Sequence, residues 1–207
     1  MKSDQFVIAC ALCLAIPSHA ALTSDASRIS TPQTIDFENF ESFVTMGTNT
    51  VVPGLDFTGT PGSILGAFIA DLGSNGIWGA GNHFAATDGD NTLEFAFDNG
   101  RSQAAGALLN SYNGGQMVIS AFDSNHQLLE SHVIDVHTHE DSLNEGIFFS
   151  IVRSSADIRS ISFAGLGLVA DNLTFAPPVP EPGTYGMMLA GLSLMMTMVR
   201  VHRRNDR

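Results

Sequence analysis

The sequence predicts an all-β protein in which one β-sandwich domain is flanked by an apolar segment at each end. Short runs of alternating, β-branched or aromatic residues recur between residues 21 and 176, which is typical of strands. Stretches rich in glycine, asparagine and aspartate, such as 73–76 and 87–91, separate these runs and predict turns. A domain of roughly 155 residues can bury one core between two sheets.

Eight segments carry the strand pattern most clearly. Only residues 103–109 show a helix-like pattern, and that segment is short. Many short strands with regular turns favour a sandwich of the jelly-roll type. The predicted strands are residues 34–37, 55–58, 93–97, 116–122, 133–138, 147–152, 158–163 and 168–175.

The charges divide the chain into an acidic middle and basic ends. The formal net charge is −12, and only four arginines and no lysine lie between residues 21 and 176. A strongly acidic surface repels phosphate groups, which argues against nucleic acid as a partner. Both cysteines, Cys10 and Cys13, lie in the first apolar segment. If that segment is removed, stability must come from packing or from ions held by oxygen atoms.

Residues 1–20 predict a secretory signal peptide. An uncharged apolar run at residues 6–16 is followed by small residues before a cleavage site between Ala20 and Ala21. This run is short for a membrane span, which takes about 20 apolar residues. A buried N-terminal helix and a lipoprotein-type cleavage at Cys10 are the alternatives, although only a few apolar residues precede Cys10. We therefore expect an exported protein whose folded domain covers residues 21–176.

The C-terminal region combines a stiff linker, an apolar run and a basic tail. Residues 177–182 are rich in proline, which fixes φ and disfavours helix in the preceding residue. Residues 183–199 carry no charge and as a helix would span roughly 25 Å, slightly less than a bilayer core of about 30 Å. They predict a single transmembrane helix. The tail at residues 200–207 contains Arg200, Arg203 and Arg204, which predict that it stays in the cytoplasm.

This arrangement resembles the PEP-CTERM sorting signal of Gram-negative bacteria. The resemblance rests on Val179, Pro180, Glu181 and Pro182, on the short apolar run and on the arginine-rich tail. It implies recognition by exosortase, a membrane peptidase or transpeptidase. It further implies a single-pass precursor in the inner membrane, and then a place on the cell surface or in the exopolysaccharide matrix of a biofilm. The alternative is an ordinary C-terminal membrane anchor that happens to follow a proline-rich linker.

Several segments of the middle domain resemble ectodomains that often accompany this signal. These ectodomains are similar to the jelly-roll sandwiches of carbohydrate-binding modules, in which the first and last strands lie close together. The resemblance is one of pattern rather than of a defining motif. The segments that carry it are residues 35–40, 119–131, 146–165 and 169–175.

Acidic residues at predicted strand ends and in turns suggest calcium, which takes six to eight oxygen ligands in irregular geometry. If the first and last strands are neighbours, Glu38 and Asp171 could share one ion with backbone carbonyls, with Asp36 close by. Asp88 and Asp90 could form a second site. The alternative is that these side chains cap turns through local hydrogen bonds.

Two further patterns suggest ligand sites. Asp135, His137 and His139 alternate along a predicted strand and would share a face that could hold iron or zinc, unless that face is simply solvated. Trp78 lies in a glycine-rich stretch and could stack on a sugar ring, unless it is a buried anchor of that loop.

These features favour a non-enzymatic protein of the cell surface or matrix. A carbohydrate-binding module for exopolysaccharide is the second hypothesis. A small glycan hydrolase is the third, since acidic residues are abundant but no pair is distinguished by its spacing. The sequence contains no Gly-x-Ser-x-Gly elbow and no phosphate-binding glycine loop. The expected partners are exosortase, the membrane and exopolysaccharide, and structural calcium is the one expected cofactor.

Overall fold

A computed structural model describes residues 21–41, 43–44, 48–98, 100–179 and 195 of the chain. Within this part the protein is all-β and forms two antiparallel sheets, so the predicted β-sandwich is confirmed. The predicted signal peptide (1–20) and cytoplasmic tail (200–207) lie outside the described residues, as does the predicted transmembrane helix (183–199) except for Met195. Among the residues that are described, no helix is long and apolar enough to cross a membrane.

The described part contains fourteen strands and three short 3-10 helices. The helices are Ala26–Arg28, Gly73–Asn75 and Tyr112–Gly114. The strands are β1 (Ala21–Thr23), β2 (Gln33–Ile35), β3 (Phe43–Val44), β4 (Thr48–Val52), β5 (Leu55–Gly59), β6 (Ile64–Asp71), β7 (Ile77–Ala86), β8 (Asp90–Phe97), β9 (Ala104–Asn110), β10 (Gln116–Phe122), β11 (Leu128–Asp135), β12 (Ile147–Val152), β13 (Ser160–Leu166) and β14 (Val169–Phe175).

Both sheets mix strands that are close in sequence with strands that are far apart. The larger sheet has the order β1-β12-β9-β14-β7-β6-β3, and β2 also pairs with β14. The smaller sheet has the order β11-β10-β13-β8-β5-β4. The predicted neighbourhood of the first and last parts of the domain is therefore present, because Gln33 of β2 pairs with Phe175 of β14.

The main core lies between the two sheets and is rich in phenylalanine. Strand β8 alternates as a half-buried strand should, with Leu93, Phe95 and Phe97 fully buried. The ring of Phe95 lies 5.1 Å from that of Phe57 and 6.3 Å from that of Phe163. Burying each such side chain stabilises the fold by about 1.5–3 kcal/mol.

A second, smaller apolar cluster covers part of the outer face of the larger sheet. Trp78 and Phe84 of β7 pack there with Leu72 and with Val169 of β14. The rings of Trp78 and Phe84 lie 6.4 Å apart in an edge-on arrangement. This cluster ties the beginning of β7 to the last strand of the domain.

A bulge in β7 shapes this hairpin. Ala67 pairs with Phe84 and Ile69 pairs with Gly79, so residues 80–83 stand opposite a single residue of β6. Gly79 has φ +126°, and an added Cβ would lie 2.2 Å from a backbone oxygen of β6. Because such a bulge bends its strand, the first residues of β7 can cover the sheet rather than extend it.

The helix-like pattern at residues 103–109 is misleading, because residues 104–109 lie in β9. Strand β9 lies between β12 and β14, and six of its seven residues are buried. Small side chains allow this close packing: a Cβ on Gly106 would lie 2.1 Å from the backbone oxygen of Phe149. The predicted strands 116–122 and 147–152 match β10 and β12.

Candidate functional site

The last described residues before the proline-rich motif are bound to the sandwich. The N–H of Ala176 donates to the carbonyl oxygen of Ala104 at 2.9 Å. The hydroxyl of Ser102, which is fully buried, lies 2.8 Å from the carbonyl oxygen of Ala176 and 2.7 Å from that of Ala104, and its one proton is shared between these two acceptors. Val179 and Arg101 then exchange two backbone hydrogen bonds of 2.9 and 3.1 Å. Residues 176–179 are therefore held against the sandwich.

The antiparallel registers give the sandwich two distinct ends. The end at which the chain leaves is called the exit end, and the opposite end is called the loop end. Residues 97–104, 152–160 and 175–179 form the exit end, and residues 86–90, 110–116 and 135–147 form the loop end.

All four arginines of residues 21–179 lie at the exit end. Arg101 pairs with Val179, and Arg159 donates to the backbone oxygens of Asp98 and Gly100. The N–H of Arg153 donates to Gln103, and Arg28 precedes Ile29, which packs on Ala104 and Ala176. The loop end contains acidic residues that none of these arginines neutralises: Asp88, Asp90, Asp135, Glu140, Asp141 and Glu145.

Asp171 and Glu38, which we predicted as calcium ligands, lie in the same region of the larger sheet. Asp171 is on β14, where the register against β9 shifts, and only 3% of it is exposed. Its carboxylate accepts a hydrogen bond of 2.6 Å from the N–H of Asn172. Glu38 follows β2 and accepts hydrogen bonds from the backbone and the ring of His83 at 3.0 and 3.1 Å.

Burial raises the pKa of Asp171 to about 6. The hydrogen bond from Asn172 opposes this rise, whereas the negative charges of Glu38 and Asp36 add to it. The indole of Trp78 is close enough to lower the pKa slightly, although its N–H makes no well-formed hydrogen bond to any described residue. The fold therefore brings these carboxylates within electrostatic reach of one another.

The remaining predicted metal ligands lie elsewhere. Asp88 and Asp90 flank Gly89 in the turn between β7 and β8 and are exposed. The backbone oxygen of Asp88 accepts a hydrogen bond from the Asn91 side chain, as expected of a local turn. Over the ranges that the structure covers, no three His, Cys, Asp or Glu side chains are grouped so that they could hold a metal ion.

Trp78 does not occupy the position that we predicted for a sugar-stacking residue. Its side chain is 0% exposed and lies in the outer apolar cluster. A sugar ring needs an exposed aromatic face, and Trp78 has none in this structure. The alternative that we stated, a buried anchor, describes its position.

An open groove of about 680 Å³ lies at the loop end and was not predicted. His137 and His139 line it, but β11 ends at Asp135, so the strand alternation behind the proposed iron or zinc site does not extend to them. Apolar side chains from β9 and β12 line the other side. The groove residues with side chains suited to ligand contacts are Leu108, His137, His139, Asn144, Glu145 and Ile147.

Two buried asparagines fix the loops around this groove. Asn75 donates to the backbone oxygen of Val136 at 2.8 Å and accepts from the N–H of Thr138 at 3.0 Å. Asn110 donates to the backbone oxygen of Glu145 at 2.7 Å. Because buried amides without partners are costly, these bonds favour one loop conformation. The groove is therefore preformed.

Residues 178–204 match the family model of the PEP-CTERM protein-sorting motif. This motif supports an exported protein that is sorted after export, and it follows directly on the acidic β-sandwich. The chain carries the PEP-CTERM sorting motif, and the resemblance drawn from residues 179–182 is confirmed. No curated protein matches the whole sequence.

Several solved structures are similar in fold. A DUF4465 family protein from Bacteroides caccae is 8% identical, with a TM-score of 0.44 over 73% of this chain and 100% of the other. Two variants of the family 29 carbohydrate-binding module CBM29-2 are each 14% identical with a TM-score of 0.34. They cover 74% and 73% of this chain, and 99% and 97% of their own chains. Similarity at this level says nothing about ligands.

Proposed function

We propose that the chain is a non-enzymatic protein of the cell surface or of the exopolysaccharide matrix, processed by exosortase on its way there. One observation carries this proposal. The sorting motif begins at Pro178, and the residues just before it, as well as Val179, are still hydrogen-bonded to the sandwich. The sorting motif thus follows directly on the described sandwich, and no long linker separates the two.

The proposed route has three steps. The signal peptide directs export and is removed after Ala20. The apolar segment 183–199 then holds the precursor in the inner membrane, with the arginine-rich tail in the cytoplasm. Exosortase finally cuts in the region of Pro180, Glu181 and Pro182, which releases the sandwich or transfers it to the surface.

The position of the sorting motif at the exit end supports an orientation of this precursor. The exit end, which is next to the membrane, contains every arginine of the folded domain, whereas the loop end is acidic. The sorting motif follows residues of the exit end, so the exit end lies nearer the membrane and the loop end lies farther from it. The sandwich would therefore stand with the loop end and its groove facing away from the membrane.

Replacing the motif tests the proposal. In the native host, changing Pro180, Glu181 and Pro182 together to alanine should leave unprocessed protein in the membrane fraction and remove it from the surface fraction. Glu140→Ala is the control, because it removes one exposed carboxylate outside the motif. Equal surface amounts of wild type and the triple variant would reject sorting by this motif.

Carbohydrate binding is a second candidate function, favoured by the preformed groove at the loop end. Sugars are bound by polar side chains that meet hydroxyl groups and by apolar side chains that meet ring carbons. His137, His139 and Glu145 supply the former, and Leu108 and Ile147 supply the latter. Exopolysaccharide purified from the host should be retained by the wild type and lost with Glu145→Ala, while Asp90→Ala should still bind. Lack of retention by the wild type would reject this function.

A structural calcium ion is a separate proposal. Its support is the proximity of Asp171 to Glu38 and Asp36, which carry charges of one sign in one region. A calcium ion there would offset their repulsion and take its remaining ligands from backbone carbonyls. A calorimetric calcium titration that releases heat from the wild type and none from Asp171→Asn would support it. No heat from the wild type would reject it.

A further inference from the structure

We propose that the contacts between the sandwich and residues 176–179 restrain processing of the sorting segment, so that these residues must detach before exosortase can act. These contacts are called the exit clamp: the Ser102 hydroxyl on Ala176 and the paired backbones of Arg101 and Val179. The inference rests on the proposed function, and it makes Ser102 a positioning residue for the processing step.

The clamp occupies both backbone groups of Val179. Its N–H donates to the oxygen of Arg101 at 2.9 Å, and its oxygen accepts from the N–H of Arg101 at 3.1 Å. Peptidases commonly hold a substrate segment in extended form through the same backbone groups. While the clamp is closed, Val179 cannot offer them to an enzyme.

Two further contacts seat this segment. The buried hydroxyl of Ser102 lies between the oxygens of Ala104 and Ala176, at 2.7 and 2.8 Å. Pro178 borders a cleft of about 130 Å³ beside the turn at Pro53 and Gly54. The segment is therefore held by side-chain contacts as well as by the backbone pair.

Chain geometry explains why this restrains processing. Only Pro180, Glu181 and Pro182 separate Val179 from the apolar segment that begins at Gly183. Four Cα–Cα steps span at most about 14 Å. A folded domain held that close to the membrane leaves little room for a membrane peptidase around the motif. Detaching residues 176–179 lengthens the accessible stretch by about 14 Å.

Ser102 offers a test that leaves the sorting motif unchanged, because it lies outside residues 178–204. The full-length chain is expressed in an exosortase-containing host, and the conversion of precursor to product is followed by pulse-chase. Ser102→Ala should speed conversion about fivefold, the effect of losing one buried hydrogen bond. Ser150→Ala is the matched control, because Ser150 is also fully buried but its hydroxyl bonds to no described residue. It should convert at the wild-type rate.

A cross-link tests whether holding the clamp closed slows processing. Arg101 and Val179 are directly opposite in an antiparallel pair, which suits a disulfide. The double variant Arg101→Cys with Val179→Cys should be processed at least tenfold more slowly when oxidised. Reductant should restore its rate of processing. The reduced chain is therefore the control for any effect that replacing Val179 has on recognition by exosortase.

An insertion separates restraint from a general loss of stability. Four residues, Gly-Ser-Gly-Ser, placed between Ala176 and Pro177 lie outside the matched motif and add about 13 Å of reach while the Ser102 contact with Ala176 stays. Processing of this variant should be fast, and adding Ser102→Ala should no longer change it. A purely structural role of Ser102 would instead give the same change in both backgrounds.

The outcomes separate this inference from the proposed function. If Ser102→Ala, the cross-link and the insertion all leave the rate of processing unchanged, the clamp is overturned. The sorting role then still stands. An absence of processing in the wild type would overturn both. Faster conversion of Ser102→Ala together with reversible arrest by the cross-link would support the clamp.

Discussion

Replacing Asp171 by asparagine measures the penalty of placing a carboxylate inside this fold. Asp171 is 3% exposed, and its pKa is raised to about 6 from an ordinary 3.8. Each unit of pKa difference corresponds to about 1.4 kcal/mol, so the ionised form destabilises the fold by up to about 3 kcal/mol. Asparagine keeps an oxygen that can accept the hydrogen bond from Asn172, so the substitution removes the charge and replaces the second carboxylate oxygen by an amide NH2 group of similar size.

The direction of the pH dependence follows from the raised pKa. Between pH 4 and 6 the folded state holds a proton on Asp171 that the unfolded state has released. Protonated Asp171 therefore makes its full stabilising contribution below about pH 4, and this contribution is lost as the pH rises through 6. At pH 7.5 Asp171→Asn should be more stable than the wild type, and at pH 4 the two should be nearly equal.

Urea unfolding of residues 21–179, with chelator present, tests this reasoning. We expect the free energy of unfolding of Asp171→Asn to exceed that of the wild type by about 1–3 kcal/mol at pH 7.5. Asp90→Asn, a change in an exposed turn, should stay within about 0.5 kcal/mol of the wild type. A variant that is less stable than the wild type at pH 7.5 would show that the Asp171 charge is needed, and would refute the argument.

Further predictions concern packing, ion pairs and calcium. Arg153→Met should lower the free energy of unfolding by about 2–4 kcal/mol in urea, because it removes the cation that Asp157 and Glu130 share; an unchanged midpoint would contradict this. Trp78→Ala should cost about 3–5 kcal/mol by the same measurement, since it empties the outer apolar cluster. Gly106→Ala should prevent a cooperative thermal transition, whereas Gly81→Ala, where the space is open, should retain one. Calcium should raise Tm, and a Tm indifferent to chelator would reject the ion.

Much of the smaller sheet could be predicted because apolar and polar residues alternate along its strands. In β8 the buried Leu93, Phe95 and Phe97 alternate with more exposed residues, and β10 has the predicted bounds. Strand β9 could not be recognised in this way. It is covered on both sides and is made of small residues, so its sequence lacks alternation and its helix propensity is overridden by packing.

The candidate sites that a local sequence pattern marks could also be predicted, whereas those that depend on contacts between distant residues could not. The sorting motif is a local pattern, so Val179 to Pro182 could be recognised directly. The proximity of Glu38 and Asp171 followed from an expected neighbourhood of the first and last strands. By contrast, the pairing of Arg101 with Val179 joins residues far apart in the chain, and neither residue carries a signal of it. The position of Trp78 depended on a bulge that bends β7, which a glycine-rich stretch alone does not specify.

The C-terminus of the mature protein gives the most direct test of the sorting role. Intact-mass spectrometry of protein recovered from the surface of the native host should show a chain that begins at Ala21 and ends near the Pro-Glu-Pro motif. In a host without exosortase, the peptides of residues 183–207 should still be attached. Recovery of the full 22.0 kDa chain from the cytosol of both hosts would contradict the account.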